Sequence, residues 1–302
     1  MARVKTKLGK VIRFFIPYLP HKIAHSYLFY RSHKYILDWN NPVTYDEKMT
    51  WALANLIGED EAIYADKYAV RDYVAKMGFE QYLPKVYGVW DNPDNIDFDD
   101  LPDQFVLKAN HAAGEKFYYI CKDKKTINQR KVREKFRIAL KSSIWKNQCE
   151  YHYKYIKPVV FAEEFLDDGR ESRMTDYKIH CFNGKPFCVL VCSNRSSDLK
   201  LDYYDLDWNY LDVVPENLRS GYIADRPKGL NIMIQLAERL SAAFPTARID
   251  FYDVDGRVYF GEITLTPAGG NLHYINKKWQ KIMGEKIDLS ACQSNFVLKG
   301  KI

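Results

Sequence analysis

Apolar residues recur along the chain at two spacings, one typical of helices and one typical of strands. Helical spacing is found at residues 4–15, 44–56, 66–77, 126–147 and 230–244. Strand-like runs are found at residues 84–90, 104–109, 116–121, 159–166, 177–182, 187–192, 247–254 and 257–263. Because these strands cluster in hairpins with helices between them, the sequence predicts an α+β fold with mainly antiparallel sheets.

Short polar patterns mark the ends of several elements. Thr44 and Glu47 have the spacing of a capping box at a helix start, and Gly78 is suited to end the helix at 66–77. The pairs Asn183-Gly184 and Asp255-Gly256 predict tight hairpin turns. The composition, 47% apolar and 15% aromatic residues, is that of a globular protein and excludes a disordered chain.

Basic charge is concentrated at the amino terminus. Residues 1–37 contain eight Lys or Arg and no Asp or Glu, although the net charge of the whole chain is only +6. Residues 4–15 form a basic amphipathic pattern, which either lies in a membrane interface or docks on the protein through its apolar stripe. A charge excess confined to one terminus favours contact of residues 1–37 with anionic lipid over nucleic-acid binding.

Cysteine usage and hydropathy indicate the compartment. The six cysteines include no C-x-x-C pair and no His spacing typical of zinc sites, which indicates reduced thiols. No run reaches the roughly 18 apolar residues of a membrane span, and Arg13 and Pro17 interrupt the apolar stretch at 11–20. The sequence predicts a cytoplasmic protein, placed at the inner face of the membrane if its amino-terminal segment binds lipid.

The most informative chemistry lies in the last predicted hairpin. Arg248 and Asp250 are two residues apart and share one face of a strand, and Glu262 can come opposite them from the partner strand. Two acids and a cation on a half-buried sheet suit a metal-bound phosphate, because magnesium binds one or two carboxylates together with phosphate oxygens and water. A surface salt bridge across the hairpin is the alternative interpretation.

Two other segments have the residue types of a nucleotide site. Lys108 ends a buried strand just before a small-residue turn, where its charge and the backbone amides can approach phosphate oxygens. This turn consists of Ala112, Ala113 and Gly114. An extended segment can also present backbone donors and acceptors to a purine edge, and the candidate residues are Glu163, Glu164, Phe165 and Leu166. Taken alone, each pattern also fits an ordinary strand end.

Taken in order, five segments resemble the TupA-like, polysaccharide-biosynthesis branch of the ATP-grasp superfamily. They are NPVTYDEK at residues 41–48, ADKYAVR at 65–71, FVLKANH at 105–111, DYKIHCFNG at 176–184, and the last hairpin continued through residues 267–270. The resemblance covers roughly residues 38–290. Several motifs in the right order are more specific than any one of them.

The resemblance implies an ATP-grasp fold, in which two α+β subdomains with mainly antiparallel sheets grip ATP, preceded by an amino-terminal helical segment. It divides the chain into four parts. They are a basic segment at 1–60, a smaller subdomain with a phosphate lid at 61–163, a larger subdomain with a metal site at 164–290, and a tail at 291–302.

The resemblance also implies residue roles. Lys67 and Lys108 would contact the ATP phosphates, and residues 111–116, which include Ala112, Ala113 and Gly114, would close over them as a lid. The adenine-contacting segment would be Glu163, Glu164, Phe165 and Leu166. The implied catalytic residues are Arg248, which would face the transferred phosphoryl group, Lys108, and Lys178, which would also contact the nucleotide. The implied magnesium ligands are Asp250 and Glu262.

Two departures from the family pattern affect these assignments. Many ATP-grasp members have Asn two residues after the metal-binding Glu, where this chain has Thr264, so a second magnesium would be held less tightly or would use Asn271 instead. The lid contains Ala-Ala-Gly where Gly-Ser-Gly is commoner, which changes its backbone contacts.

The implied reaction is an ATP-dependent carboxylate–amine ligation through an acyl phosphate, with ATP and Mg²⁺ as cofactors. The implied substrate is a uronic-acid carboxylate of a cell-surface polysaccharide or its precursor, and the product is an amide. One alternative is a glycosyltransferase, because Asp205 and Asp207 form an acid pair of the kind that binds a metal with a nucleotide sugar. The other alternative is a non-catalytic scaffold that binds nucleotide or polysaccharide.

Overall fold

The computed structural model describes residues 14–167, 175–193 and 199–290. Its helices are α1 (His21–His33), α2 (Tyr45–Asn55), α3 (Ala62–Ala65), α4 (Val70–Lys76), α5 (Gln129–Leu140), α6 (Trp145–Gln148), α7 (Leu230–Ser241) and α8 (Lys277–Lys286). Its strands are β1 (Val86–Trp90), β2 (Phe105–Ala109), β3 (Tyr118–Cys121), β4 (Val160–Glu164), β5 (Asp176–Phe182), β6 (Lys185–Ser193), β7 (Lys200–Tyr204), β8 (Tyr210–Leu211), β9 (Thr246–Val254) and β10 (Arg257–Thr264). Short 3-10 helices lie at Ile16–Tyr18, Glu80–Tyr82, Pro93–Asn95, Glu115–Phe117, Lys124–Thr126, Tyr151–Tyr155, Glu216–Leu218 and Pro267–Gly269.

The first sheet has four antiparallel strands in the order β1-β4-β2-β3. Along β2, the side chains of Phe105, Leu107 and Ala109 are buried, because successive side chains of a strand point to opposite faces. They pack with the apolar side of α5 in one core. This leaves Val106 and Lys108 on the opposite face of the sheet.

The second sheet has six antiparallel strands in the order β10-β9-β5-β6-β7-β8. Helix α7 covers one face, where Leu230, Met233 and Leu236 pack with Ile179 of β5 and Ile249 of β9. The intervening residues of β5 and β9 therefore lie on the other face. That alternation separates the apolar core under α7 from the polar side of the sheet.

The other face of the six-stranded sheet is only partly covered by apolar side chains. Towards β6 and β7 it packs against α2 and α8 through Tyr45, Met49 and Met283. Towards β9 and β10 it bears charged side chains that line a cleft shared with the four-stranded sheet. The helices thus leave one polar region of the sheet open to a ligand.

The predicted α+β fold with antiparallel sheets is confirmed. The capping box of Thr44 and Glu47 starts α2, and the predicted turns join β5 to β6 and β9 to β10. The single helix predicted over residues 126–147 is wrong, because α5 and α6 are separate. Ser142 donates from its hydroxyl to the carbonyl of Ile138, an alternative to helical hydrogen bonding that Ser commonly adopts near helix ends.

Several elements were not predicted. Helix α1 carries aromatic and polar residues around its whole circumference and has no clear apolar stripe. Strand β7 places the buried acid Asp202 among apolar residues, and helix α8 is strongly basic. Of the helix predicted at 4–15, only Phe14 and Phe15 fall within the described residues, and the predicted tail at 291–302 lies outside them.

The contacts of α4 bear on the boundary at residue 61, which stays a prediction. Val70 and Val74 of α4 pack in the core of the six-stranded sheet, together with Ala52 and Ile57. These contacts place α4 with the larger sheet, although the sequence assigned residues 61–163 to the smaller subdomain. The four-stranded sheet itself begins with β1.

No helix within the described residues combines the length and the apolar character needed to cross a bilayer.

We expect the substitution Gly284→Ala to destabilise the protein by about 1–3 kcal/mol through overpacking. A Cβ atom at Gly284 of α8 would lie 2.2 Å from the carbonyl oxygen of Val43 and 2.9 Å from the amide nitrogen of Tyr45. The contact is with backbone, which cannot rotate away. Urea denaturation gives the free energy of unfolding.

The matched control is Gly58→Ala, where an added Cβ meets nothing within 4 Å and the change should stay within about 0.5 kcal/mol. A gain of stability in Gly284→Ala, as helix propensity alone would give, would show that α8 does not pack on the start of α2 in this way.

Candidate functional site

A cleft of about 370 Å³ lies between the two sheets and is lined by residues from both. All but two of the residues that the sequence assigned to catalysis, ATP or metal line this cleft. They are Lys67, Lys108, Ala112, Ala113, Gly114, Glu163, Glu164, Phe165, Leu166, Lys178, Asp250 and Glu262. Residues that are as far apart as 67 and 262 in the chain therefore meet in one place.

The wall formed by the four-stranded sheet carries Lys108 and Glu163. Lys108 lies on the face of β2 turned away from the apolar core, opposite Tyr118 of β3 and Phe161 of β4. Its ammonium group forms an ion pair with the carboxylate of Glu163. Because a quarter of the Lys108 side chain remains exposed, its charge is accessible to a ligand in the cleft.

A hydrogen-bonded bridge holds Lys67 next to the strand that carries Lys108. The backbone amide of Lys67 donates to the carbonyl of Asn110 over 3.0 Å, and the side-chain amide of Asn110 donates to Asp66 Oδ2 over 2.8 Å. Asp66 Oδ1 also accepts from the amides of Tyr68 and Ala69. Asp66 and Asn110 are both buried, so this bridge fixes the relative positions of the two lysine segments.

Oppositely charged side chains are paired on the wall formed by the six-stranded sheet. Lys178 of β5 lies directly opposite Asp250 of β9 in the strand register, and their side chains form an ion pair. The Lys178 ammonium also lies 3.4 Å from Asp176, two residues earlier on the same face. All three side chains are more than nine-tenths buried, so each charge depends on its neighbours for stabilisation.

Arg248 connects the two acids of the last hairpin. Its Nε and Nη2 donate to the two carboxylate oxygens of Asp250 over 2.7 and 2.9 Å, and Nη2 also donates to Glu262 over 3.2 Å. Thr264 accepts from Nη2 over 3.0 Å and donates to Glu262 over 3.1 Å. Burial alone would lower the pKa of Arg248, but the attraction of Asp250 and Glu262 outweighs burial and raises that pKa above its usual value.

Lys67 joins the two walls of the cleft. Its ammonium nitrogen lies 2.5 Å from Glu262 Oε2. Burial acts to raise the pKa of Glu262, but the charges of Lys67, Lys178 and Arg248 hold it well below the usual range. Burial and the same two cations, Arg248 and Lys178, lower the pKa of His180 to about 3, so this ring adds no further positive charge near pH 7.

The predicted lid forms one edge of the cleft. Ala112 is buried, whereas Ala113 and Gly114 are exposed, and all three line the cleft. Gly114 has a φ of +102°, a backbone conformation that residues with a Cβ rarely adopt. The lid therefore brings backbone, with little side-chain bulk, to the space beside Lys108.

The predicted adenine segment lies where β4 ends. The backbone amide of Glu164 still donates to the carbonyl of Lys85 over 2.8 Å, which continues the strand pairing. Phe165 and Leu166 lie past the end of this strand and line the cleft. The ammonium group of Lys122 lies 5.8 Å from the ring centre of Phe165, so this end of the cleft combines an aromatic surface with a cation.

Two assigned residues do not line the cleft. Arg248 lies just behind it and reaches it through Asp250 and Glu262. Asn271 also lies outside the cleft lining, and its side-chain amide donates to the hydroxyl of Ser32 in α1. The assignment of Asn271 as a metal ligand stays a prediction.

Thirteen of the residues that line the cleft were not assigned from the sequence, and they include the polar or charged residues Arg71, Lys122, Asp176 and Tyr252. Arg71 lines the cleft and donates to the carbonyl of Pro84 over 2.6 Å. Asp176, Lys122 and Tyr252 line it as well. Arg71 and Asp176 lie within the motifs at 65–71 and 176–184, and membership of those motifs could have identified them as cleft residues. Lys122 and Tyr252 lie in no motif, so no sequence signal indicated their position.

Asp205 and Asp207, the acid pair on which the glycosyltransferase hypothesis depends, form part of a turn. Asp205 accepts from the backbone amides of Asp207 and Asn209 over 3.0 and 2.7 Å, and from the side chain of Asn209 over 2.8 Å. These bonds close the turn between β7 and β8. Neither Asp205 nor Asp207 lines the cleft.

A partly buried acid, Glu150, lies against the end of the last hairpin. Thr266 follows Glu262 and Thr264 at two-residue intervals, and its hydroxyl donates to Glu150 Oε1 over 2.5 Å. Burial raises the pKa of Glu150 from its ordinary value of 4.5 to about 7, although the bond from Thr266 opposes the change. Glu150 therefore titrates close to neutral pH.

Comparison with known families identifies this arrangement. The family model for TupA-like ATP-grasp proteins matches residues 47–288, which is most of the chain. The protein therefore belongs to the TupA-like ATP-grasp family, and the expected ATP-grasp fold, with two antiparallel sheets facing a shared cleft, is confirmed. The comparison with curated proteins returned no match.

Solved structures of ATP-grasp ligases are distantly similar. D-alanine–D-alanine ligase from Bacillus anthracis complexed with ATP shares 14% identity over 78% of this chain and 69% of that chain, with a TM-score of 0.47. The Helicobacter pylori D-alanine–D-alanine ligase shares 13% identity over 74% and 59%, with a TM-score of 0.41. N5-carboxyaminoimidazole synthetase from Staphylococcus aureus complexed with ADP shares 12% over 68% and 46%, with a TM-score of 0.43.

The raised pKa of Glu150 predicts a pH-dependent stability. Between about pH 4.5 and 7 the folded state keeps a proton that the unfolded chain has released, so the stability contributed by Glu150 falls as pH rises through this window. The variant Glu150→Gln has no charge to bury. We expect it to be more stable than the wild type by about 1–3 kcal/mol at pH 8 and nearly equal to it at pH 4.5.

The measurement is urea denaturation of both proteins at several pH values. Glu80→Gln, at an exposed position, is the matched control and should show no such trend. A difference between wild type and Glu150→Gln that does not change with pH would mean that Glu150 is charged in the folded protein across this range.

Proposed function

We propose that this protein transfers the γ-phosphoryl group of ATP to a carboxylate and then joins the acyl group to an amine. The single observation that carries the proposal is the meeting of Lys67 and Lys108 with Asp250 and Glu262 in one cleft. An ATP-grasp enzyme needs cations for the phosphates and acids for their metal ion at the same place. The family membership supports the ATP-dependent ligase class.

The proposed orientation of ATP follows from the two ends of the cleft. The phosphates lie between Lys67, Lys108 and Lys178, where three ammonium groups converge. The lid at 112–114 covers them and supplies backbone amides. The adenine lies against residues 163–166, where the backbone leaves the sheet after Glu164 and can bond to a base edge.

The acids are suited to magnesium bound together with ATP. Asp250 and Glu262 provide two hard oxygen ligands, which is the usual protein contribution to a magnesium–nucleotide site. Among the described residues no group of three or more His, Cys, Asp or Glu side chains could hold a metal ion, so phosphate oxygens and water would complete the coordination. Bound there, magnesium supplies positive charge that offsets charge on the transferred phosphoryl group.

The protein residues then act by position and charge. A carboxylate oxygen of the substrate attacks the γ-phosphorus and ADP leaves, with Arg248 and Lys108 stabilising the negative charge that is redistributed. The lid excludes water from the acyl phosphate. The amine then attacks the carbonyl carbon, loses a proton, and inorganic phosphate departs.

We extend the proposal to a uronic-acid carboxylate of a cell-surface polysaccharide or its precursor, with amide formation in the cytoplasm at the inner face of the membrane. The support for this part is the resemblance to the polysaccharide-biosynthesis branch of the family. The glycosyltransferase alternative loses support because Asp205 holds a turn outside the cleft.

Binding of magnesium-ATP should stabilise the protein against heat, because a ligand of the folded state shifts unfolding by mass action. We expect Lys108→Ala and Glu262→Ala to weaken this stabilisation, each lowering the affinity by about tenfold or more through the loss of a charge-assisted contact. The measurement is the melting temperature with and without magnesium-ATP. Lys76→Ala, on the exposed side of α4, is the matched control.

Unchanged stabilisation of Lys108→Ala by magnesium-ATP would contradict the site assignment. Stabilisation of the wild type by a UDP-sugar with manganese, and not by magnesium-ATP, would favour the glycosyltransferase.

The reaction itself is tested with ATP, candidate uronic acids and candidate amines. We expect carboxylate-dependent ADP formation, a hydroxamate when hydroxylamine replaces the amine, and an amide of the corresponding mass. Lys108→Ala and Glu262→Ala should abolish ADP formation while remaining folded. ADP formation at the wild-type rate in either variant would remove the proposed active site.

A further inference from the structure

A cluster of aromatic side chains lies on the surface near the amino terminus of the described chain. Phe14, Phe15 and Tyr18 are 66%, 57% and 58% exposed. Phe14 is in ring contact with Phe15 at 5.2 Å and with Tyr18 at 6.4 Å between centroids, and Tyr18 is in edge contact with Trp145 at 6.1 Å. These four residues form one continuous surface, called here the aromatic patch.

The exposure of the aromatic patch is not caused by a lack of anchoring. The same segment docks on the protein through other residues, because Ile16 and Ala24 are buried in a core with Cys149 and Tyr151. The docking face is therefore already used. Trp145 is half-buried against this core, whereas Phe14, Phe15 and Tyr18 are exposed outside it. Leaving a Phe side chain in water forgoes the free energy of burying it, and contiguous exposed apolar surface usually marks an interaction site.

Two lysines flank the aromatic patch on the side of Tyr18 and Trp145. The ammonium group of Lys146 lies 5.4 Å from the ring centre of Tyr18 and 5.5 Å from that of Trp145. Lys154 lies 5.8 Å from the ring centre of Trp145. The sequence from residue 1 to 37 contains no acid, so no carboxylate on that stretch of the chain offsets this charge.

The combination of aromatic rings and lysines indicates which kind of partner the patch can bind. Aromatic rings beside lysines match the boundary of a bilayer, where the rings enter the headgroup region and the ammonium groups remain at its charged surface. A second copy of this chain docking through the same patch would bring Lys146 and Lys154 near their own copies, and like charges disfavour that contact. A nucleic acid would be matched by a basic stripe without an apolar centre.

We propose that the aromatic patch, together with Lys146 and Lys154, is a docking surface for a membrane that contains anionic lipid. The rings insert at the interface and the lysines attract the lipid phosphates. The proposal is independent of the ligase reaction, since no residue of the patch lines the ATP cleft. It gives the expected membrane contact of residues 1–37 a defined surface, part of which comes from the distant segment 145–154.

The test is sedimentation of the full-length protein with vesicles of phosphatidylcholine alone or of phosphatidylcholine with about one third phosphatidylglycerol. We expect binding to the anionic vesicles and little binding to the neutral ones. The double variant Phe14→Ser with Tyr18→Ser should bind the anionic vesicles at least about tenfold more weakly. The double variant Lys146→Gln with Lys154→Gln should weaken binding as well, and high salt should remove this difference.

Matched controls separate the patch from general surface properties. Tyr222→Ser with Ile223→Ser removes two equally exposed apolar side chains elsewhere, and Lys76→Gln with Lys185→Gln removes two exposed lysines on other elements. Both control variants should bind like the wild type. All variants should keep their stabilisation by magnesium-ATP, which separates a failure of this proposal from a failure of the proposed enzyme function.

Insertion of the patch has its own readout. Brominated lipid chains should quench the fluorescence of the wild type more than that of Trp145→Phe, because Trp145 is the tryptophan of the patch. The proposal is overturned by equal binding to neutral and anionic vesicles, by no binding, or by wild-type binding of the Phe14→Ser, Tyr18→Ser variant. A wild-type dimer that this variant dissociates would make the patch a protein interface instead, and would overturn the proposal too.

Discussion

Mutual neutralisation of buried charge is the constraint on which the cleft depends. Burying a single unpaired ion in a protein costs several kcal/mol, and here Arg248, Asp250 and Glu262 are held together with two lysines in a half-enclosed space. Each acid has two cationic partners. These charged side chains can be buried only because they are paired with one another. Removing one of them is therefore expected to destabilise the charged neighbours that remain.

The backbone is built to deliver these charges to one place. Strand alternation turns Lys178 and Asp250 to the face opposite the apolar core under α7, and the register puts them directly across from each other. The strand pairing of β10 shifts at Gly261, where a Cβ would lie 3.0 Å from the carbonyl of Asp250. A glycine at this irregularity lets Glu262 come opposite Asp250 without steric conflict.

The sequence was most informative where structure and chemistry are both local. The last hairpin could be predicted because its turn, its alternation and its acids lie within a few residues of one another, and the pairing of Glu262 with Asp250 is confirmed. Contacts between distant segments were not available from spacing. The bridge from Asp66 to Asn110 and the bond from Thr266 to Glu150 join residues 44 and 116 positions apart, and only the folded chain brings them together.

The missed elements have a related cause. Helix α1 lacks the apolar stripe by which a helix is recognised, because aromatic and polar residues occupy much of its surface. Helix α8 has only a short stripe, Trp279, Ile282 and Met283, set among lysines. Asn271, the predicted alternative ligand for a second magnesium, lies outside the cleft lining, and its side-chain amide donates to Ser32. Its role as a metal ligand stays a prediction.

The charge pairs of the cleft also indicate how it would accept its ligand. Lys67 is paired with Glu262, and Lys178 with Asp250. In the proposed complex, magnesium would take the two carboxylates while the phosphates would take the two ammonium groups, so each buried charge would exchange one opposite charge for another. Magnesium alone would take Asp250 and Glu262 from Lys178 and Lys67, and nucleotide alone would leave the two acids with Arg248 as their remaining cationic partner. The electrostatics of the cleft therefore favour joint binding of the metal and the nucleotide over binding of either one separately.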